Sequence, residues 1–496
     1  MDEENKCTND DSVSINARPI VPSTELDYSS HPRNWPLAKK IYSNAVFDWI
    51  TVYAAYASGI YSPGVLAVKD EFHVSTEVAQ LGTSVYMFGM AVGALPWGPI
   101  SQVVGRRPLF IIGMTGMILF DLGACLSDHM RTLLICRAFA GAFAAAIFVN
   151  VAGSIVDMTT ERDRIPYNSM FRFSAFFGPP LAALLGAVTV HETTWRWNLR
   201  SIPIVGSVLL IIYTLTVPET YPPVLLEKQV LADKEVIEEW SHHHSKFWWL
   251  WRRFMHAWPT IKMFKLIVYR VVGSLPLPIK LLLEEPVIMI VCFYTALLYG
   301  LLYGSLLFFP AVWYNIRHLT RVQVGFTYFA VMFGFVLSTL IVGIWLQNKH
   351  FKKAYDENKH TPELRIRSCV LTLVLVPVGL FIFGWTAPFA DIHWIAPSIG
   401  SVCFSFGMLA TFNSWMAYMT DTYSNNTAAV ISINTFLRCL LAGSFPLFTG
   451  QMVNAMTIQG AMSMFGGISI ILTAIGFVFA YHGKQLRHHS KNAVYG

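Results

Sequence analysis

The sequence predicts an all-α membrane protein with twelve transmembrane helices in two six-helix bundles. Three observations carry this. Twelve mostly apolar stretches of roughly 20 residues or more are each long enough to cross a ~30 Å hydrocarbon core as a helix. Only 13% of the 496 residues are charged, against about 25% in soluble domains. The stretches divide six and six around one polar segment far longer than any other connection. Lipid offers the backbone no hydrogen-bond partner, so such stretches must be helical.

The first 40 residues are polar and hold no apolar run, so they read as a cytoplasmic tail without a cleavable signal; the first span then drives insertion. Spans at 42–66, 79–100, 108–127, 132–157, 166–190 and 197–217 build an amino-terminal bundle over 41–217. Residues 218–285 read as a cytoplasmic loop, with a charged run at 228–240 followed by Phe247-Trp248-Trp249-Leu250-Trp251-Arg252-Arg253. Aromatic and basic residues interleave there without an 18-residue apolar run, the pattern of a helix lying in the membrane interface. Spans at 286–312, 323–347, 367–389, 392–418, 425–452 and 460–482 build the carboxy-terminal bundle over 286–482, and 483–496 reads as a second cytoplasmic tail. Six plus six spans around a long middle loop point to two halves rocking about a midplane site.

Placing the amino terminus inside puts 27 Lys and Arg on the inner side and 6 on the outer. That asymmetry is the positive-inside rule, and it makes both termini cytoplasmic. The sequon Asn425-Asn426-Thr427 then falls in an inner loop and should stay unglycosylated. The net charge of +6 follows from this topology. No soluble basic domain exists to bind nucleic acid. Cys7 lies in the tail and the other six cysteines lie in spans, so no disulfide framework is expected. His242-His243-His244 reads as solvated loop rather than a metal site. No phosphate-binding loop and no convergent acid/base or nucleophile set appear, which argues against ATP hydrolysis within this chain and against an enzyme.

Gly98-Pro99-Ile100-Ser101-Gln102-Val103-Val104-Gly105-Arg106-Arg107-Pro108 between spans 2 and 3 resembles the gating signature of the major facilitator superfamily. Gly98 and Gly105 permit close approach and a tight turn. Arg106 and Arg107 anchor the loop at the inner face. The family carries an acidic residue where Gln102 stands, so this side chain accepts a hydrogen bond but forms no full ion pair. Arg137-Ala138-Phe139-Ala140-Gly141 with Gly153-Ser154-Ile155-Val156-Asp157-Met158 resembles the fourth-span motif of fungal drug:proton antiporters of the 12-span group. So do Asn34-Trp35-Pro36, Thr194-Trp195-Arg196-Trp197, Pro218-Glu219-Thr220-Tyr221, Glu285-Pro286 and Asn434-Thr435-Phe436-Leu437-Arg438 in their order along the chain. The antiporter-like fifth-span motif keeps Gly178, Pro179 and Gly186, while Ala182-Ala183 replaces its second Gly-Pro step. Polyamine exporters of the group carry a span-7 carboxylate near Leu307; its absence weakens a polycation substrate.

Charged residues inside spans are costly and mark function. The resemblance makes Arg137 the arginine linked to proton coupling. Asp48, two turns into span 1, is the expected proton carrier, with an interfacial carboxylate held by Lys39 or Lys40 as the alternative. Asp121 lies in a span that is often peripheral in this fold. Arg172 and Arg438 sit near inner ends, where they close a gate or meet headgroups, with Asp157 and Asp421 as available partners. Tyr53, Tyr56, Tyr86, Tyr299, Tyr303, Asn413 and Trp415 lie on spans that line the cavity in this fold. An aromatic cavity with few fixed charges suits amphipathic organic molecules. The resemblance implies a monomeric plasma-membrane exporter, with a vacuolar or vesicular membrane as the alternative. It would be powered by the proton gradient without a cofactor, with small organic molecules, protons and lipid as partners. A proton-independent facilitator or a symporter stands as the alternative function.

Overall fold

The computed structural model describes residues 31–227, 229–230, 271–357, 361–367, 369–423 and 426–488. The aromatic–basic run at 247–253, the histidine triplet and Asn425 lie outside the described residues. The described chain is helical, without strands. Each expected span corresponds to a helix. The first half comprises α1 (Leu37–Gly59), α2 (Thr76–Val104), α3 (Arg106–Cys125), α4 (Met130–Met158), α5 (Arg164–Glu192) and α6 (Trp195–Thr216). The second comprises α7 (Pro286–Tyr314), α8 (Arg321–Asp356), α9 (Val370–Thr386), α10 (Ile395–Thr422), α11 (Thr427–Val453) and α12 (Ala455–Gly483). Among the described residues ten are long and apolar enough to cross a membrane, and α9 is a shorter apolar helix. The remaining helix, α1, has 23 residues but carries Lys39, Lys40 and Asp48.

Local chemistry sets several boundaries. Ser75 caps α2 by accepting from the Val78 amide, and Thr320 with Gln323 forms a reciprocal capping box on α8. α8 runs beyond its expected end at 347, through a π-helical segment at Thr339–Leu346, to Asp356. The helical run through α11 and α12 is broken in the first turn of α12, at Thr457, whose φ is 62°.

The helices pack in a pattern that repeats after six. α1 lies on α5, α2 and α3 on α4, and α3 on α6; six helices later α7 lies on α11, α8 and α9 on α10, and α9 on α12. The halves meet along α2–α11 and α5–α8, contacts that exchange under the same shift. Weak sequence self-similarity therefore conceals a parallel structural repeat. Small residues make the tightest packing possible: a Cβ on Gly89 would strike the Ala138 carbonyl, and one on Gly141 the Tyr86 carbonyl. By contrast Ile204, Val208, Ile211 and Leu215 form an exposed stripe along α6 at spacings of four, three and four, the face offered to lipid.

Loops alternate between two ends of the bundle. One end gathers the Lys/Arg-rich connections and is called the basic face below.

Candidate functional site

A cavity of about 650 Å³ lies between the halves, walled by α4 and α5 on one side and α8, α10 and α11 on the other. Its lining includes Arg33, Glu161 and Thr361 from the basic-face connections, so it reaches that face. At its closed end Phe176 packs on Tyr299 and Phe412 with ring centroids 5.2 and 4.8 Å apart, and Tyr299 packs on Tyr303 at 5.2 Å. Beyond this aromatic layer the Ser58 and Tyr303 hydroxyls hydrogen-bond across the halves, and Ser62 donates to the Leu306 carbonyl at 3.3 Å. The end opposite the basic face is thus joined where the cavity stops.

Near the cavity the loop 2–3 motif is held by residues that sequence reasoning did not assign to it. Gly105 turns the chain with φ 96°. The amides of Arg106 and Arg107, at the start of α3, both donate to the Glu219 carboxylate at 3.0 Å, an anion on a helix N-terminus. Arg106 Nε bonds Asp157 at 3.0 Å, and Arg107 donates to the Thr214 carbonyl at 2.6 Å. Asp157 therefore pairs with Arg106, and Asp421 pairs with Arg365 at 2.7 Å; neither pairs with Arg172 or Arg438. The two ion pairs occupy matching places in the repeat, although loop 8–9 lacks the Gly-Arg-Arg core. Gln102 is exposed, while Gly98 faces Ser432 of α11. Glu219 was visible in the sequence as a lone carboxylate after span 6; its destination was not.

Asp48 and Arg137 are not brought together. Asp48 accepts from Asn44 Nδ2 at 2.7 Å, and its other oxygen has no partner. Neither lysine named for it reaches it: Lys39 lies over Trp35 and Lys40 donates to the Arg33 carbonyl. Arg137, on α4, meets α1 nine and ten residues beyond Asp48, donating to the carbonyls of Ala57 and Ser58, and it also donates to the Gly82 carbonyl of α2. At 1.5 Å per residue that separation is about 14 Å. The carboxylate beside Arg137 is Asp121, at 3.4 Å, and both side chains are fully buried. Arg137 also stacks on Tyr86 (4.6 Å) and Tyr61 (5.6 Å). Span 3 is thus not merely peripheral, and Arg137 does not snorkel to an interface.

The remaining expected residues scatter. Tyr53 packs against Gly206 of α6, Tyr56 bonds Ser201 at 3.2 Å, and Tyr86 donates to the Ala54 carbonyl; all three sit inside the first half. Trp415 packs on Tyr294, Tyr418 and Phe479, inside the second half. Tyr299 and Tyr303 form the layer that ends the cavity. Asn413 lies behind the wall, its side-chain N and O without partners, and its carbonyl accepts from Arg172 at 3.3 Å. Gly178, Pro179 and Gly186 pack α5 against α1 and its following turn.

Comparison with known proteins places this architecture. A family model described as the Major Facilitator Superfamily matches residues 49–446. The multidrug transporter FLU1 of Candida albicans is 30% identical, over 94% of this chain and 75% of the relative. The MFS-type efflux pump MFS2 of Trichophyton rubrum is 32% identical, over 93% and 76%. The citrinin biosynthesis cluster MFS transporter mrr1 of Monascus ruber is 28% identical, over 92% and 89%. Among solved structures the proton:xylose symporter XylE aligns with a TM-score of 0.63 at 12% identity, over 90% of this chain and 97% of that one, a likeness of fold.

Proposed function

The chain belongs to the major facilitator superfamily, and on that premise we propose that it exports small amphipathic organic compounds across the plasma membrane in exchange for protons. It is a multi-pass membrane protein, and the Lys/Arg asymmetry supports a cytoplasmic basic face. One observation carries the reading. A cavity reaches the basic face between the halves and ends at an aromatic layer with a hydroxyl pair across it. That is the arrangement alternating access requires in its inward-facing state. The relatives named as efflux pump and multidrug transporter support the direction.

Asp121 and Arg137 are the proposed coupling pair. Arg137 grips the end of α1 through the Ala57 and Ser58 carbonyls, and the Ser58 hydroxyl contacts Tyr303 of the other half. A proton arriving on Asp121 would cancel the charge opposing Arg137 and free the guanidinium to shift against the α1 carbonyls it holds, linking protonation to movement at the outer end. The protein works as a monomer without a bound cofactor. Proteoliposome flux with an imposed pH gradient tests this. Uphill movement of an amphipathic aromatic compound, abolished by a protonophore, is expected; flux indifferent to the gradient would make the protein a facilitator.

A further inference from the structure

Among the described residues, two arginines in the cavity have no carboxylate partner. Arg172 on α5 and Arg438 on α11, helices equivalent under the six-helix repeat, both line it. They are 8% and 6% exposed. Arg172 makes one hydrogen bond, to the Asn413 carbonyl at 3.3 Å. Arg438 lies over the Tyr299 and Phe412 rings at 4.7 and 5.2 Å, and its Nε has no partner. Among the described residues neither makes an ion pair. The cavity's acids do not relieve this: Asp421 is taken by Arg365 at 2.7 Å. Glu161 belongs to the connection between α4 and α5, at the mouth. Arg33 and Arg164 add further positive charge to the lining.

A buried cation without an anion is costly, and inside a membrane span such a group marks a functional site. A guanidinium offers a planar fork of donors that fits a carboxylate. From these observations we infer that the transported compounds are organic anions: a carboxylate or similar acid head held between Arg172 and Arg438, with an aromatic body against Phe412. This deepens the transport reading and rests on it. It also reverses the expectation of a cavity with few fixed charges.

The test uses purified full-length protein in nanodiscs and three probes of one shape: 4-biphenylcarboxylate, its neutral carboxamide, and 4-phenylbenzylammonium. The acid should bind about tenfold or more tighter than the amide, since a hydrogen bond to a charged group is worth about that factor. The ammonium should bind weakest. Arg172→Gln and Arg438→Gln should each cost the acid about tenfold and leave the amide unchanged. Arg438→Lys should keep part of the preference. Equal binding of acid and amide, equal loss of both in the variants, tightest binding of the ammonium, or no binding by any probe would each overturn the inference. Should the glutamine variants fail to fold, the acid-to-amide ratio of the unaltered protein decides alone. Proteoliposome flux separates the two readings. Acid-selective binding without flux sinks the transport reading and leaves the site; flux without charge preference does the reverse.

Discussion

Glu71 sits outside the membrane, on the short helix Val65–Phe72 between α1 and α2. It accepts from Trp195 Nε1 at 2.5 Å and from Arg196 at 2.7 Å, while Arg196 also caps the Cys125 and Ser127 carbonyls. Three outer connections are thus tied at one point. Burial pushes the Glu71 carboxyl up, but the Trp195 and Arg196 hydrogen bonds and the Arg196 charge outweigh it and hold it below the usual range. A depressed carboxylate stabilises fully above its unfolded value, about 4.3, and the contribution fades as pH falls through the lower folded value. Glu71→Gln should therefore lower thermal stability by a constant amount between pH 5 and 8, and the gap to the unaltered protein should close only below about pH 4. A gap that closes near neutrality would refute the latch. Deeper in the same half, Asp121→Ala strands Arg137 in a fully buried site, which costs about 3–5 kcal/mol when one partner of a buried pair is removed. Asp121→Asn keeps the volume and should lose pH-driven flux while retaining exchange at equal pH. If Asp48→Asn has that phenotype and Asp121→Asn does not, the proton resides on Asp48.

At the scale of elements, the turn from α2 to α3 depends on one residue type. Gly105 has φ 96°, and a Cβ there would lie 2.9 Å from a Glu219 oxygen. Gly105→Ala should cost about 1–3 kcal/mol for the backbone alone and push Glu219 off the α3 amides, giving a lower unfolding temperature than Gln102→Ala, three residues earlier at an exposed position in the last turn of α2. Equal stability of the two variants would show the clamp to be incidental. The π-helical stretch of α8 lies where that helix meets α5: Gly343 within it touches Ser169, at the interface between halves. Widened turns of this kind often mark functional sites.

Taken whole, the molecule is two equivalent bundles joined at both ends by few bonds. At the basic face Arg162 pairs with Asp356 at 3.0 Å and Lys352 with Asp163 at 3.1 Å, each linking one half to the other through exposed groups. Exposed pairs contribute little and are screened by salt. At the other end the Ser58–Tyr303 bond is buried. Tyr303→Phe removes a bond worth about 0.5–1.5 kcal/mol, enough to shift a two-state population by up to about tenfold. It should favour the outward-open form, read as increased labelling of a cysteine placed at the outer end of α7. Asp356→Asn should change labelling much less. The opposite ranking would mean that the exposed pairs hold the state.

Length and hydrophobicity of the spans are local properties, and from them the sequence alone determined the all-α class and the places of the apolar spans. Turn chemistry at Gly105 was equally local, and the motif residues along the chain were enough to indicate the family. Pairings were not legible. Asp48 and Asp121 are both lone carboxylates in apolar spans, and nothing in their neighbours tells which one Arg137 meets. That depends on how α3 and α4 rotate against α1. For the same reason the tyrosines expected in the cavity divided between helix packing and the aromatic layer: periodicity shows that a helix has faces, but not which neighbour each face receives. Only the tertiary structure set Glu219 on the α3 amides and gave Asp157 and Asp421 to arginines other than those expected. It also left Arg172 and Arg438 in one cavity without an ion pair among the described residues, because an ion pair or a binding site is a meeting of residues far apart in sequence, decided by packing rather than by local pattern.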